Sequence, residues 1–151
     1  MRKCRVLKEG AYYHVITRIN RNDGFLLSKQ AKTLFLKVLK EAQTKYRFIL
    51  KNYTVMPNHY HLLIKPLPGE NLSRIMQWIN SVFAMRTNKL VGSTGHVWGQ
   101  RFFSRVVQDI ADSLRVSNYI DENAVKAQLV THAEEWEFCH KFFLIQEQLR
   151  S

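Results

Sequence analysis

The sequence has few cysteines and no long hydrophobic run, and each shortage excludes a class of protein. Its two cysteines, Cys4 and Cys139, stand near opposite ends of the chain without a CxxC spacing, which suits reduced thiols better than a disulfide framework or a zinc finger. No stretch approaches the roughly eighteen uncharged apolar residues of a membrane span. The start also lacks the apolar segment of a secretory signal. We therefore expect no membrane partner and a cytoplasmic location.

Acidic residues are also scarce, because 12 Asp and Glu face 23 Lys and Arg, for a formal net charge of +11. This excess indicates phosphate-rich partners, with a solvated basic exterior as the alternative. The positive residues are dispersed along the chain, so the fold itself has to assemble the basic surface. The 151 residues are 46% hydrophobic and 12% aromatic, which suits a single folded domain with a real core.

The spacing of apolar residues predicts four strands and three main helices. The strands are expected at 12–19, 48–55, 59–65 and 102–107. The helices are expected from 28 to about 45, from a cap at 71 or 73 to about 90, and from a start at 109 or 112 to about 127. The order β-α-β-β-α-β followed by a helix is the split βαβ plan of ferredoxin-like α+β folds, with helices on one face of an antiparallel sheet and the other face open. We expect the core within about residues 12–130 and a tail at 131–151 that packs as a short helix.

Two histidines in the run from Met56 to Pro66 are the first candidates for chemistry. If residues 59–65 are extended, alternation sends His59 and His61 to one face of the sheet and Tyr60 to the other. Two imidazoles hold a divalent ion loosely, so a third ligand is expected from elsewhere. Taken alone, such a pair is more often a pair of surface or packing histidines.

The last core helix offers a possible third ligand and a nucleophile. Tyr119 and Asn123 are four residues apart and so share one helical face. An asparagine carbonyl can complete a metal site, and a tyrosine hydroxyl one turn away would lie beside the ion. Tyrosine is a poor nucleophile at its ordinary pKa, but a metal that holds a phosphate makes its attack feasible. The combination predicts phosphoryl transfer.

Several basic and aromatic residues are candidates for DNA contact, because they combine phosphate-binding charge with rings that stack on bases. They are Arg18, Arg21, His96, Trp98, Arg101 and Arg105. For Trp98, packing in the core is an equal alternative, and for the two arginines at the end of the first strand a solvated turn is the plain reading. His14 is expected to serve the first strand structurally rather than to touch DNA.

Four motifs in one order resemble the single-tyrosine HUH transposases, and within them the REP-associated tyrosine transposases of bacteria. The signature is the His-Tyr-His run at 59–61. The other matches are the segments 13–18, 95–102 and 118–123. Together they cover roughly residues 12 to 130, which is far more specific than a lone pair of histidines.

The resemblance implies metal-dependent cleavage and rejoining of single-stranded DNA in transposition, on a strand that often carries a hairpin. It implies that His59 and His61 hold Mg²⁺ or Mn²⁺ with Asn123 as the third ligand, and that Tyr119 forms a 5′-phosphotyrosine intermediate. The chain departs from the family pattern at Ala124, where a proline is usual, and at Lys126, where an arginine is usual. Without the proline, the helix is freer to continue.

Two other functions remain open at the level of sequence. One is a domesticated, catalytically weak protein that binds single-stranded or hairpin DNA, and the other is an ordinary metal hydrolase with the same ligands. Covalent attachment of a DNA strand distinguishes the first expectation from both. The sequence also leaves open whether the protein acts as a monomer or a homodimer, and so whether Tyr119 serves its own histidines or those of a partner.

Overall fold

The structure, a computed structural model, describes residues 8–19, 28–92, 97–98 and 102–151. Its elements are β1 (Tyr13–Arg18), α1 (Lys29–Lys45), β2 (Phe48–Val55), β3 (His59–Pro66), α2 (Leu72–Val91), β4 (Phe103–Val106), α3 (Ile110–Lys126), a single 3-10 turn (Ala133–Glu135) and α4 (His140–Arg150). The predicted core elements are confirmed, and α2 and α3 begin after Asn71 and Asp109, the earlier of the two starts that the sequence left open for each. None of the described helices combines the length and the apolar character that crossing a bilayer demands.

The four strands form one antiparallel sheet in the order β2-β3-β1-β4. This order confirms the ferredoxin-like plan, in which the first and third strands are central neighbours. Their register sets Ile16 opposite His61 and Arg18 opposite His59. Arg18 at the end of β1 therefore lies near His59 and His61 at the start of β3, at one end of these two central strands.

Side-chain caps fix where the helices begin. In Ser28, Asn71 and Asp109 the side-chain oxygen accepts a hydrogen bond from the backbone N–H three residues further on, at 2.7 to 3.1 Å. Each cap satisfies an N–H group that has no partner within its own helix. Helix α2 ends at Gly92, whose φ of 67° is a left-handed conformation that glycine adopts without steric cost.

Helices α1 and α2 cover one face of the sheet and enclose the main core. Phe35 of α1 packs on Tyr60 of β3 with ring centroids 4.4 Å apart, and the buried Tyr60 hydroxyl donates to Asn80 Oδ1 at 2.7 Å. Thr87 of α2 is a polar residue within this core. Its hydroxyl donates to the Phe83 carbonyl at 2.6 Å, which satisfies the buried side chain within the helix.

Helix α3 lies on the second face of the sheet, which is the face expected to be open. Val116 and Ile120, one turn apart, form a second apolar cluster with Leu63 of β3 and Val107. An apolar stripe at this spacing has to be buried against another element, and the sheet provides it. Helix α3 therefore covers part of the second face of the sheet. The histidines lie on the part of this face that α3 leaves uncovered.

The tail packs along the outer edge of β2. The Val55 N–H donates to the Phe138 carbonyl at 2.9 Å, and the Trp136 indole N–H donates to the Val55 carbonyl at 3.1 Å. An isolated bridge joins Thr54 to Cys139. The segment thus pairs with an edge strand that would otherwise expose its backbone N–H and C=O groups.

Candidate active site

His59 and His61 lie on the same side of β3, as strand alternation predicts, and their Nε2 atoms are 3.1 Å apart. Two nitrogens that bind one octahedral ion at right angles, each at about 2.1 Å, are about 3.0 Å apart. The two Nε2 atoms therefore stand at the separation expected of ligands that share one divalent ion.

The other ring nitrogen of each histidine has its own partner. Nδ1 of His59 lies 2.6 Å from Asn58 Oδ1, and Nδ1 of His61 lies 2.9 Å from His14 Nε2. Because Asn58 Oδ1 can only accept, His59 carries its proton on Nδ1 and presents a lone pair at Nε2. Such partners orient the ligand histidines of metal sites.

Asn123 joins the histidine pair from α3. Its side chain lies close enough to His59 to act on the pKa of that histidine, which it raises against the larger lowering by burial. Within the part of the chain that the structure describes, no group of three or more His, Cys, Asp and Glu side chains is placed to hold a metal. Asn123, the residue predicted as the third ligand, therefore lies beside one of the two imidazoles, that of His59.

Tyr119 lies beside the same histidines in the same chain. Its ring centroid is 5.6 Å from that of His61 and 5.9 Å from that of His14, and the side chain is 45% exposed. Nζ of Lys126 lies 5.5 Å from the centroid of the Tyr119 ring. Because the Tyr119 side chain is nearly half exposed, a large substrate can reach the phenol.

Helix α3 runs to Lys126 through the buried Ala124, so the expected continuation of the helix is confirmed.

All three histidines at the site are uncharged near neutral pH. Burial lowers the pKa of His61 to about 3, with the neighbouring His59 adding to the shift. Burial followed by Arg18 lowers the pKa of His59 to about 4, and burial followed by Arg105 lowers the pKa of His14 to about 4. Uncharged imidazole is the form that binds a metal ion.

The basic candidates divide into three groups. Arg18 is exposed and stands opposite His59, at the rim of the site. Arg105 donates from both Nη atoms to Asp112 at 2.9 and 3.1 Å, so its guanidinium fastens the start of α3 to β4. The remaining candidates, Arg21, His96 and Arg101, fall outside the described residues.

Trp98 lies on the face of the sheet that α1 and α2 cover, opposite the histidines. Its indole N–H donates to the Asn80 carbonyl at 2.8 Å, and its ring centroid is 5.4 Å from Phe83 and 5.6 Å from Tyr60. Trp98 therefore packs in the core, which was the alternative to DNA contact. Contact of Trp98 with DNA stays a prediction that no structural observation supports.

Sequence reasoning missed two residues that hold the histidines. Asn58 is not among the candidates that the sequence motifs indicate, although its position next to His59 is a usable signal, because a short amide side chain readily bonds a neighbour. His14 was read as structural. Its contact with His61 depends on the register between β1 and β3, for which a single sequence carries no signal.

Comparison with known proteins supplies the class. Residues 8–123 match the family model described as IS200-like transposase. The chain belongs to this IS200-like transposase family. The protein is therefore a transposase, an enzyme of DNA transposition.

Two solved structures share the fold. One is a REP-associated tyrosine transposase bound to a REP hairpin, with a TM-score of 0.79 at 19% identity over 92% of this chain and 81% of that one. The other is a candidate transposase from Deinococcus radiodurans R1, with a TM-score of 0.55 at 20% identity over 81% of this chain and 97% of that one. No curated protein sequence matches the chain.

Proposed function

We propose that this transposase cleaves and rejoins single-stranded DNA, with Tyr119 as the nucleophile at a divalent metal site formed by His59, His61 and Asn123. The observation that carries the proposal is the meeting of an exposed phenol with a converging histidine pair in one chain. The Tyr119 ring lies 5.6 Å from that of His61, whose Nε2 is 3.1 Å from Nε2 of His59.

The donor set suits a metal ion that acts on a phosphate. Two imidazole nitrogens and one amide oxygen are uncharged, so they leave the ion its full positive charge and leave coordination positions for phosphate oxygens. A mixed nitrogen and oxygen set suits Mn²⁺ better than Mg²⁺, which prefers oxygen ligands throughout. When bound, the ion would supply Lewis-acid polarisation of the scissile phosphate.

The residues of the chain supply the remaining parts of the reaction. Tyr119 Oη forms a bond to phosphorus and loses its proton, while the bond from phosphorus to the 3′-oxygen breaks and that oxygen gains a proton. The products are a 5′-phosphotyrosine and a free 3′-hydroxyl, and attack by a 3′-hydroxyl reverses the step. Arg18, at the rim of the site opposite His59, balances charge on the phosphate.

The substrate we propose is a single strand that carries a hairpin. A structural neighbour at 19% identity is bound to a REP hairpin, and the net charge of +11 suits a polyphosphate partner. Because the described site draws Tyr119, Asn123 and both histidines from one chain, a monomer is sufficient for cleavage.

Covalent attachment tests the proposal. A 3′-labelled library of single-stranded oligonucleotides with a hairpin and randomised flanks is incubated with the protein and Mn²⁺, and adducts are resolved on a denaturing gel. We expect an adduct with the wild-type protein and with the control Tyr46→Phe, and none with Tyr119→Phe. Binding without attachment by the wild-type protein would instead support the domesticated binder, and turnover that survives Tyr119→Phe would support a metal hydrolase.

Substitution of the two histidines distinguishes the cleavage reaction from DNA binding. We expect His59→Ala and His61→Ala to abolish attachment yet to spare much of the salt-sensitive DNA binding, because Lys and Arg contacts to phosphates do not need the ion. Undiminished attachment by either variant would refute the metal site.

A further inference from the structure

We propose that His14 is a positioning residue for the metal site, because its Nε2 accepts the Nδ1 hydrogen of His61 and so turns the Nε2 lone pair of His61 toward the ion. The inference rests on the proposed function, since the ion belongs to that proposal. It assigns a role to a residue that is neither a ligand nor the nucleophile. The evidence is the short distance between the two ring nitrogens and the nearly parallel orientation of the two rings.

The contact between the two rings has the geometry of a directed hydrogen bond. His14 Nε2 and His61 Nδ1 are 2.9 Å apart, and the ring planes are inclined by only 23°. The centroids are 5.2 Å apart, which is the nitrogen separation plus the radius of each ring. Both nitrogens therefore lie on the line between the rings, and the hydrogen bond is close to linear.

The fold leaves His61 few other partners at this nitrogen. His14 is 8% exposed and His61 is 2% exposed, so bulk water does not replace the contact. In the antiparallel register His14 is opposite Leu63 and two residues from Ile16, the partner of His61. The two imidazoles are thus diagonal neighbours on one face of adjacent strands, within reach of each other.

The hydrogen bond matters because His61 has two tautomers and only one can bind the ion. A proton on Nε2 would point at Nε2 of His59, 3.1 Å away, and would occupy the ligand position. An acceptor at Nδ1 favours the other tautomer. Asn58 serves His59 in the same way at 2.6 Å, so each ligand histidine has its own acceptor, and loss of such a partner costs about 10- to 100-fold in metal affinity.

Two substitutions separate this role from simple packing. His14→Leu removes the acceptor and keeps an apolar side chain in the buried position, whereas His14→Gln keeps an acceptor oxygen at similar reach. Mn²⁺ binding to the purified protein without DNA is followed by electron paramagnetic resonance. We expect His14→Leu to bind about 10- to 100-fold more weakly than wild type and His14→Gln to bind within a few-fold of it. Equal affinity of wild type and His14→Leu would overturn the role.

A readout that needs no metal is the tautomer of His61. Long-range ¹H–¹⁵N spectra of the metal-free protein should show the His61 proton on Nδ1 in wild type and His14→Gln, and on Nε2 in His14→Leu. If His14→Leu fails to fold, His14→Phe, which keeps a ring without an acceptor, replaces it. An unchanged tautomer in a folded variant without an acceptor would refute the inference. Failure of the wild-type protein to bind Mn²⁺ would refute the proposed metal site itself.

Discussion

The amide nitrogen of Asn52 on β2 lies 2.9 Å from Oδ1 of Asp121 on α3. The same nitrogen donates to the backbone carbonyl of Ser117 at 3.1 Å and to its hydroxyl at 2.9 Å. Because Ser117 and Asp121 are one turn apart and flank Tyr119 in sequence, one buried side chain sets the rotation of α3. The position of Tyr119 beside the histidines thus depends on a residue of the edge strand β2, which pairs with the strand β3 that carries the histidines.

We expect Asn52→Ala to lower the free energy of unfolding by about 1 to 3 kcal/mol, because it leaves partly buried oxygens of Ser117 and Asp121 without this donor. Urea unfolding at neutral pH measures the change. Thr44→Ala is the control, since it removes an exposed hydrogen bond on α1 and should cost less than about 0.5 kcal/mol. Equal stability of Asn52→Ala and wild type would show that the amide does not fasten α3.

Most of the fold followed from local signals. Apolar periodicity and capping residues depend on positions a few residues apart, so they predicted each core element and left the starts of α2 and α3 open between two capping residues. The packing of α3 on the second face was less accessible. It depends on Asn52, which lies beside a shift in the register of β2 that no local pattern announces.

The site divides in the same way. Alternation along β3 put His59 and His61 on one face, and the helical repeat put Tyr119 near Asn123. That the two pairs meet within one chain is a tertiary contact, and spacing alone left it open. The position of Trp98 was ambiguous, because the basic and aromatic composition of its segment does not determine on which face of the sheet the Trp98 ring packs.

Arg18 is expected to contact a phosphate at the rim of the site. Arg18→Gln should weaken DNA binding and reduce the slope of log affinity against log salt by about 0.7, the value for one phosphate contact on a single strand. Fluorescence anisotropy with a labelled single strand between low and moderate salt measures the slope. Lys37→Gln, on the exposed side of α1 across the sheet, should leave it unchanged. An Arg18→Gln slope equal to that of wild type would remove Arg18 from the DNA contacts.

Asp112 makes the free energy of unfolding depend on pH in the acid range. The hydrogen bonds from Arg105, followed by the one from the Gln108 N–H, hold the pKa of Asp112 well below its usual range. Since the folded pKa lies below the unfolded one, the stabilisation is fully present above about pH 4 and is lost as the pH falls toward the folded pKa.

We therefore expect Asp112→Asn to be less stable than wild type by about 1 to 3 kcal/mol at pH 7, and the gap to narrow at pH 3. Urea unfolding at the two pH values tests this. Glu122→Gln, an exposed position on the same helix, serves as the control and should differ little from wild type at either pH. A gap that widens in acid would have the wrong sign for this ion pair.

The site should work within one chain. A mixture of His59→Ala and Tyr119→Phe proteins is expected to form no covalent adduct, because each chain lacks one part of its own site and the Tyr119 ring stands 5.6 Å from its own His61. The adduct assay with wild-type protein in parallel provides the reference. Restored attachment in the mixture would show that tyrosine and histidines are shared between two chains.

The most direct measurement is the identification of the amino acid that carries the DNA. Adducts formed by the wild-type protein with Mn²⁺ and hairpin-bearing single strands are digested with protease and nuclease, and the modified peptide is sequenced by mass spectrometry. The proposed mechanism predicts a nucleotide joined through its 5′-phosphate to Tyr119. A nucleotide on any other residue, or any nucleotide-modified peptide from Tyr119→Phe protein, would contradict it.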